Sequence, residues 1–417
     1  MSGRMAIRPD IQVCHTVGKR RNKYLRPPFI NHSITDHMDK IFIAGAGGIG
    51  RAAALLILDA QNWDCEVVLA DASESQLNEA KGWIEKGLSK KGRLATFVIS
   101  SVDDVEAFEN ILNGCDVMLD CLPGKFAPAL ARLCLEYGLH YANLTEYVKE
   151  SAEITEMAAD AETGFILQTG LAPGYVNSVA LHLIESFKKR YGTEKLERLA
   201  MRVGALTQYT ESPHYYGFTW STIGVATEYI KPSEAVRNHE VVELPSLSER
   251  ETLIINGKRY EADLTSGGAA DLPNVLKVEI RNIDYKTIRY PGHYDWVQAW
   301  LKNDTNPESK IERLEKYLID NVPHVEDDVI VIYASVTGYD QSGQLRSIQH
   351  AQHIYPMMFG SITMRAIQIC TAAPLVECAR LLLTGEYQGV IHQSDIYPAA
   401  ILEGVIVKQA YHSEISE

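Results

Sequence analysis

The sequence predicts an α/β protein, in which a doubly wound parallel sheet is followed by a second domain of α+β texture. Three observations carry that expectation. Short apolar runs alternate with helical ones over residues 40–168, a glycine-rich turn separates the first run from the first helix, and the texture changes after Gly170-Leu171-Ala172-Pro173-Gly174. Parallel strands need crossover helices, and strands that are apolar without polar alternation belong to a sheet covered on both faces.

The elements follow in order. Residues 40–44 (KIFIA) form a first strand, and 49–59, rich in alanine and leucine, read as a buried helix. Residues 66–70 give a second strand and 73–88 a helix with Ser73 as its N-cap. A third strand and helix fall at 95–100 and 103–112, and a fourth strand at 116–121 is closed by Leu122-Pro123-Gly124. The alternation continues through 126–137, 140–143, 151–163 and 164–168. Beyond it, a helix over 176–191 gives way to tyrosine-rich, β-prone stretches at 199–209, 252–264 and 277–290. Asn256-Gly257 and Ser266-Gly267-Gly268 are turn signals within them. Residues 328–336 and 345–355 are expected to add antiparallel strands, and 360–385 an apolar helix that returns to the first domain. The expected division is a dinucleotide domain at 38–174, completed by 356–417, and a substrate and dimerisation domain at 175–355.

Composition limits the function classes. A chain of 417 residues, 46% apolar and 23% charged, is globular and long enough for two domains. A net charge of −14 argues against a broad nucleic-acid or anionic-membrane footprint. No run approaches the roughly eighteen apolar residues of a membrane helix, so a soluble protein is expected. The seven cysteines are dispersed without a C-x-x-C pair, which fits reduced thiols and a cytoplasmic location. His350 and His353 lack the order of a helical zinc site, and no metal is expected. Residues 1–37 are basic and acid-poor without an apolar core, and read as a disordered arm, an organelle-targeting segment being the alternative.

The glycine turn is Gly45-Ala46-Gly47-Gly48-Ile49-Gly50. Gly45 permits the tight turn after the strand, Gly47 lets backbone approach a pyrophosphate, and Gly50 lets the helix pack on the sheet. The helix N-terminus, at Gly48 and Ile49, then offers unpaired N–H groups to the phosphates. Asp71 ends the second strand 21 residues after Gly50, where an acceptor for ribose hydroxyls belongs. The spacing and its context predict a Rossmann dinucleotide site. A carboxylate at Asp71 repels a 2′-phosphate and no arginine follows it, so NAD is favoured over NADP. Open sheets of this kind bind ligands beyond the carboxyl ends of their strands. Ser100 and Ser101 are therefore expected toward the adenosine half, and Cys121, Leu122 and Pro123 toward the nicotinamide half.

Several stretches resemble the saccharopine dehydrogenase-like family. They are Leu122-Pro123-Gly124, residues 170–177 (GLAPGYVN), residues 213–221 (PHYYGFTWS), Glu228-Tyr229 with Pro232, Ser266-Gly267-Gly268, and residues 287–293 (TIRYPGH), in family order. Saccharopine reductases typically read G-L-D-P-G-[IL]-D at the crossing between domains. Ala172 and Val176-Asn177 look more like the L-lysine 6-dehydrogenases of that family. Gly204-Ala205-Leu206-Thr207 replaces the family's usual Gly-Gly-Leu-Pro. The resemblance implies hydride transfer to a nicotinamide dinucleotide, oxidation of a C–N bond, and a homodimer or larger homo-oligomer.

Amine oxidation needs a neutral nitrogen, so a proton must leave before the hydride. Glu146 and His293 are the candidate bases, and Tyr216 a residue that could donate or orient. Each has a plainer reading, as a helix-entry carboxylate, a turn-capping imidazole and a core aromatic. Arg289 could bind a substrate carboxylate or pair with an acid, and Trp220 could wall the cleft. Pro173, Gly174 and Asn177, in the segment that matches the family, complete the expected substrate side. The reading is an NAD-dependent dehydrogenase of a basic amino acid, with lysine ε-deamination as the specific case. Secondary-amine chemistry on saccharopine or carboxynorspermidine-type substrates is the alternative within the class. A dinucleotide-sensing regulator without turnover is the alternative outside it.

Overall fold

The computed structural model describes residues 38–411 apart from Asp103, Tyr147, Thr305, Pro307 and Glu308. The basic segment 1–37 therefore lies outside the described residues. The first sheet has seven strands: β1 (Asp39–Ala44), β2 (Cys65–Asp71), β3 (Arg93–Val98), β4 (Val117–Asp120), β5 (His140–Asn143), β6 (Gly164–Ile166) and β17 (Gly389–Ile391). All its pairings are parallel, in the order β17-β6-β5-β4-β1-β2-β3. Strand order reverses between β1 and β4, and the glycine turn stands at that point. The chain supplies β17 after it has built the second sheet.

Helix Gly48–Asp59 is apolar on every side from Ala52 to Leu58, and all seven of those residues are buried. A helix apolar all round must be covered all round. The sheet covers one side, and helix Ala366–Leu382 packs on the other. Between that second helix and the second sheet runs a small hairpin, β15 (Met357–Phe359) and β16 (Ile362–Met364). The expected helix over 360–385 therefore begins later, at Ala366, because residues 357–364 pair as strands.

The second sheet has eight strands. Its centre is β7 (Leu196–Thr207) between β12 (Ile280–Arg289) and β13 (Asp328–Tyr339), with β14 (Leu345–Ile354) beyond β13. On the other side β12 carries β11 (Lys258–Leu264) and then β10 (Glu251–Ile255), while β8 (Ser233–Arg237) and β9 (Glu240–Leu244) attach to it as a separate hairpin. Asn256 and Gly257 turn β10 into β11 with φ of 48° and 78°, the left-handed pair a two-residue hairpin needs. The sheet is mixed rather than antiparallel throughout. β12 runs parallel to β7, because the intervening chain crosses over before β12 is laid down. Helices Thr222–Ile230, His293–Asn303 and Lys310–Asn321 share an aromatic and leucine core that includes Phe218, Tyr229, Tyr294 and Leu318.

Candidate active site

One cavity of about 620 Å³ joins the two sheets. Its first wall is the carboxyl edge of the parallel sheet: Gly48 and Ile49, Cys121 to Gly124, and Leu144 to Glu146. Its second wall is built by period-2 alternation, with Val203 and Ala205 from β7 and Tyr285, Thr287 and Arg289 from β12. Glu228 and Trp220 come from helix Thr222–Ile230 and the segment before it, and Pro173 from the crossing between the sheets.

The glycine turn has the geometry its spacing predicts. Gly45 has φ of +102°, and a Cβ on Gly50 would stand 1.8 Å from the Gly45 carbonyl oxygen, so neither position accepts a side chain. A Cβ on Gly47 would meet nothing within 4 Å, which leaves open space where a pyrophosphate would lie. Asp71 is fixed beside the turn, since its Oδ2 accepts from the Ala46 N–H at 2.8 Å and its Oδ1 from the Ser73 N–H at 3.0 Å. The turn, Asp71 and the open strand ends together fit a nicotinamide dinucleotide.

The loop after β4 is held from below. Asp120 accepts from the Leu122 N–H at 2.9 Å and from the Tyr141 hydroxyl at 2.7 Å, and burial raises its carboxyl to about 6 against those hydrogen bonds. Cys121 lines the cavity, but burial, and next Asp120, push its thiol well up, so it packs rather than reacts. The loop after β5 is tied at Asn143, whose side-chain oxygen accepts from the Gln168 N–H at 2.9 Å. Ser100 and Ser101 are exposed beyond β3 and do not line the cavity.

The charged end of the cavity holds Glu146, Glu228 and Arg289. Glu146 is half-buried against Gly267, where a Cβ would meet its carboxylate at 3.3 Å. Gly268 makes the same concession to Tyr285, whose ring would lie 2.3 Å from a Cβ. The Ser266-Gly267-Gly268 turn thus makes room for two cavity residues. Burial, and then the nearby Glu228, raise the Glu146 carboxyl well above its usual range, with Lys231 opposing. Burial also raises Glu228, against the pull of Arg289. Glu228 Oε2 and Arg289 Nη2 stand 3.8 Å apart, and each lacks a hydrogen-bond partner among the described residues. Two neighbouring carboxyls with raised affinity for protons therefore share this end of the cavity, one of them 3.8 Å from a guanidinium whose Nη2 has no hydrogen-bond partner among the described residues.

His293 is not on this wall. It is fully buried behind Arg289 and absent from the cavity lining. Its Nδ1 faces the His214 carbonyl oxygen at 2.7 Å and so carries the proton, and its Nε2 accepts from the Tyr229 hydroxyl at 2.9 Å. The same hydroxyl accepts from Arg289 Nε at 2.7 Å. Burial, and next Arg289, lower the imidazole to about 3, so it stays neutral. His293 positions Tyr229, Tyr229 positions Arg289, and the expected proton acceptor is instead the far end of a hydrogen-bond chain. Tyr216 is likewise buried, its ring face 4.7 Å from the Arg289 guanidinium. Asn177 and Gly174 lie behind the cavity wall. Asn177 accepts from the Gly174 N–H at 2.7 Å and donates to the Ala269 carbonyl at 3.1 Å, which leaves its amide committed to joining the two sheets.

Residues 41–167 match the family model of the saccharopine dehydrogenase NADP binding domain, and residues 170–408 that of the saccharopine dehydrogenase C-terminal domain. The chain belongs to the saccharopine dehydrogenase family. Among curated relatives, the mitochondrial alpha-aminoadipic semialdehyde synthase of Rattus norvegicus is 22% identical over 205 residues, 49% of this chain and 21% of that protein. The NADP(+)-dependent, L-glutamate-forming saccharopine dehydrogenase of Schizosaccharomyces pombe is 24% identical over 153 residues, 36% of this chain and 34% of that one. The chain thus spans a fifth to a third of those relatives' length. Two solved structures share its fold. Apo saccharopine dehydrogenase (L-Glu forming) from Saccharomyces cerevisiae has a TM-score of 0.66 at 13% identity, covering 90% of this chain and 98% of its own. Homospermidine synthase from Legionella pneumophila in complex with NAD has 0.63 at 14%, covering 90% of each. As a family member the chain carries a nicotinamide dinucleotide-binding domain. Among the described residues no helix is long and apolar enough to cross a membrane.

Sequence reasoning missed Glu228, Arg365 and Gln368 as cavity residues. Glu228 had a signal, since it is the only acid in the otherwise apolar and neutral run Ile223-Gly-Val-Ala-Thr-Glu-Tyr-Ile. Arg365 and Gln368 had none. They reach the site from the returning C-terminal segment, and nothing local marks them.

Proposed function

We propose that the protein is an NAD-dependent dehydrogenase that oxidises the C–N bond of a basic amino acid, lysine ε-deamination being the specific reaction. One observation carries this reading: a single cavity holds the dinucleotide turn at one end and Glu146, Glu228 and Arg289 at the other. The bound cofactor supplies the hydride acceptor. The chain's own groups do the rest. Arg289, held by Tyr229 and His293, offers Nη2 to a substrate carboxylate. The Glu146–Glu228 pair attracts the amine and takes its proton, a role that suits carboxyls raised toward neutrality. Apolar walls from Leu144, Val203, Ala205 and Ile367 restrict water around the reacting carbon while the hydride leaves, and water admitted afterwards hydrolyses the imine to the aldehyde and ammonia.

The charge count favours lysine over saccharopine. Arg289 and Arg365 are the only lysines or arginines among the lining residues described, and Arg365 stands at the glycine turn. One guanidinium is then left for substrate. A substrate with three carboxylates would meet it together with two acidic side chains, whereas a monocarboxylate diamine matches both signs. NAD is the proposed cofactor because Asp71 sets a carboxylate beside the turn and would oppose a 2′-phosphate. The test follows nicotinamide reduction with L-lysine, L-ornithine, saccharopine and polyamines, each with NAD and with NADP. Turnover of L-lysine with NAD is expected. Turnover of saccharopine alone would overturn the substrate, and no turnover of any amine would overturn the activity.

A further inference from the structure

The C-terminal segment returns to the cavity at Arg365, immediately before helix Ala366–Leu382. That helix start is firmly anchored. Asp328 in β13 accepts from the Ala366 and Ile367 N–H groups through its two oxygens, each at 2.7 Å, and Gln368 Nε2 donates to the Gly48 carbonyl at 2.9 Å across 320 residues of chain. The Arg365 guanidinium is thereby brought over the glycine turn, with Nη2 3.6 Å from where a Cβ on Gly48 would stand. Its local partners are weak. Nη1 reaches the Thr219 carbonyl at 3.3 Å, and Nε lies 3.5 Å from Glu326, whose side chain is 86% exposed, and makes no hydrogen bond among the described residues. A mostly buried guanidinium thus stands at the mouth of the turn, beside the open space over Gly47; of its neighbouring carboxyls Glu326 is exposed, and the buried Asp328 is already bound to the Ala366 and Ile367 N–H groups.

We propose that Arg365 is a cofactor-binding residue that grips the dinucleotide pyrophosphate from the side opposite the glycine turn. This rests on the reading that a dinucleotide binds here. The turn offers backbone N–H groups and the helix dipole, but no formal positive charge. A pyrophosphate brings two negative charges, and a guanidinium matches phosphate oxygens with two parallel N–H donors. Arg365 supplies the missing charge, and Asp328 and Gln368 position it. The cofactor is then clasped between the first and last parts of the chain.

The test is calorimetric binding of NAD, ADP-ribose and adenosine to the full chain and to Arg365→Gln, Arg365→Lys and Glu326→Gln. Arg365→Gln should weaken NAD and ADP-ribose by about ten- to a hundredfold, the scale of a charge-assisted hydrogen bond. It should leave adenosine unchanged and flatten the salt dependence of NAD binding. Arg365→Lys should fall between, and Glu326→Gln, which frees the guanidinium, should bind NAD as well as or better than the parent. An equal loss for adenosine and NAD would mean that Arg365 merely props the pocket and would overturn the proposal, as would NAD binding within twofold of the parent. If Arg365→Gln does not fold, Arg365→Lys and Glu326→Gln decide: NAD affinity unchanged in the first, or weakened in the second, overturns it. If the parent chain binds none of the dinucleotides, the functional reading itself fails, a result distinct from every one of these.

Discussion

At one end of the cavity six consecutive residues, Gly45 to Gly50, make a phosphate turn; at the other, Glu146, Glu228 and Arg289 arrive from a loop, a helix and a strand. The first end works through backbone and is fixed by what its residues lack, since a Cβ on Gly50 would collide with Gly45. The second works through side-chain charge and is fixed by tertiary neighbours, such as Tyr229, which bonds Arg289 from 60 residues away, and His293 behind it. Damage at the first end should therefore appear in cofactor binding. Damage at the second should appear in turnover with cofactor binding intact.

The largest expected effect is at the glycine end. Gly50→Ala forces a methyl group to 1.8 Å from a carbonyl oxygen, and NAD binding measured by fluorescence quenching should disappear. Retained binding would show that the turn relaxes at little cost. Next come Glu146→Gln and Glu228→Gln, each expected to lower kcat by roughly a hundredfold or more while the Kd for NAD stays within about twofold. If neither lowers kcat tenfold, the proton leaves by another route. The pH profile sharpens this. A base works deprotonated, and Glu228 is raised to about 7, so amine oxidation should fall as pH drops below neutrality. Glu228→Gln should move or remove that limb.

A smaller effect separates the two ends by cofactor rather than rate. Asp71→Arg should shift the ratio of kcat/KM for NAD over NADP by roughly tenfold toward NADP, the scale of one charged hydrogen bond. An unchanged ratio would mean that Asp71 serves only the turn. The last effect concerns stability and leaves activity near neutral pH untouched. His293 is neutral when folded, its imidazole lowered to about 3, and takes up a proton near pH 6.5 when unfolded. Its contribution is present above pH 6.5 and is lost as pH falls toward 3, at about 1.4 kcal/mol per pH unit. His293→Gln should flatten that slope in urea melts taken across the range, and an unchanged slope would assign the acid sensitivity elsewhere.

The same contrast explains what the sequence made legible. The parallel sheet, the glycine turn and Asp71 depend on spacing along one stretch, and spacing is what a sequence displays. The Asn256-Gly257 hairpin was visible for the same reason. The direction of β12 against β7 was not, because it is set by the path of about seventy intervening residues between the strands (208–279) rather than by either strand's own pattern. His293 misled because its residue type suits proton transfer, while its burial and its two ring partners, all tertiary facts, determine its role. Glu228 was readable as an acid in an apolar helix. Arg365 was not, since only the packing of two helices far apart in sequence brings it to the turn.

That packing has a consequence for how the protein is made. Residues 48–59 leave the ribosome more than three hundred residues ahead of the helix that covers them, the two meeting at Gly48 and Gln368 across 320 residues. Throughout that interval the nascent chain carries Ala52 to Leu58 with one face uncovered, a surface for chaperones to mask and for aggregation to exploit. The parallel sheet also waits for β17 to close the edge beside β6. Vectorial synthesis thus delays a finished parallel sheet until residues 389–391 have emerged, and a fragment cut after residue 174 would keep that face permanently bare.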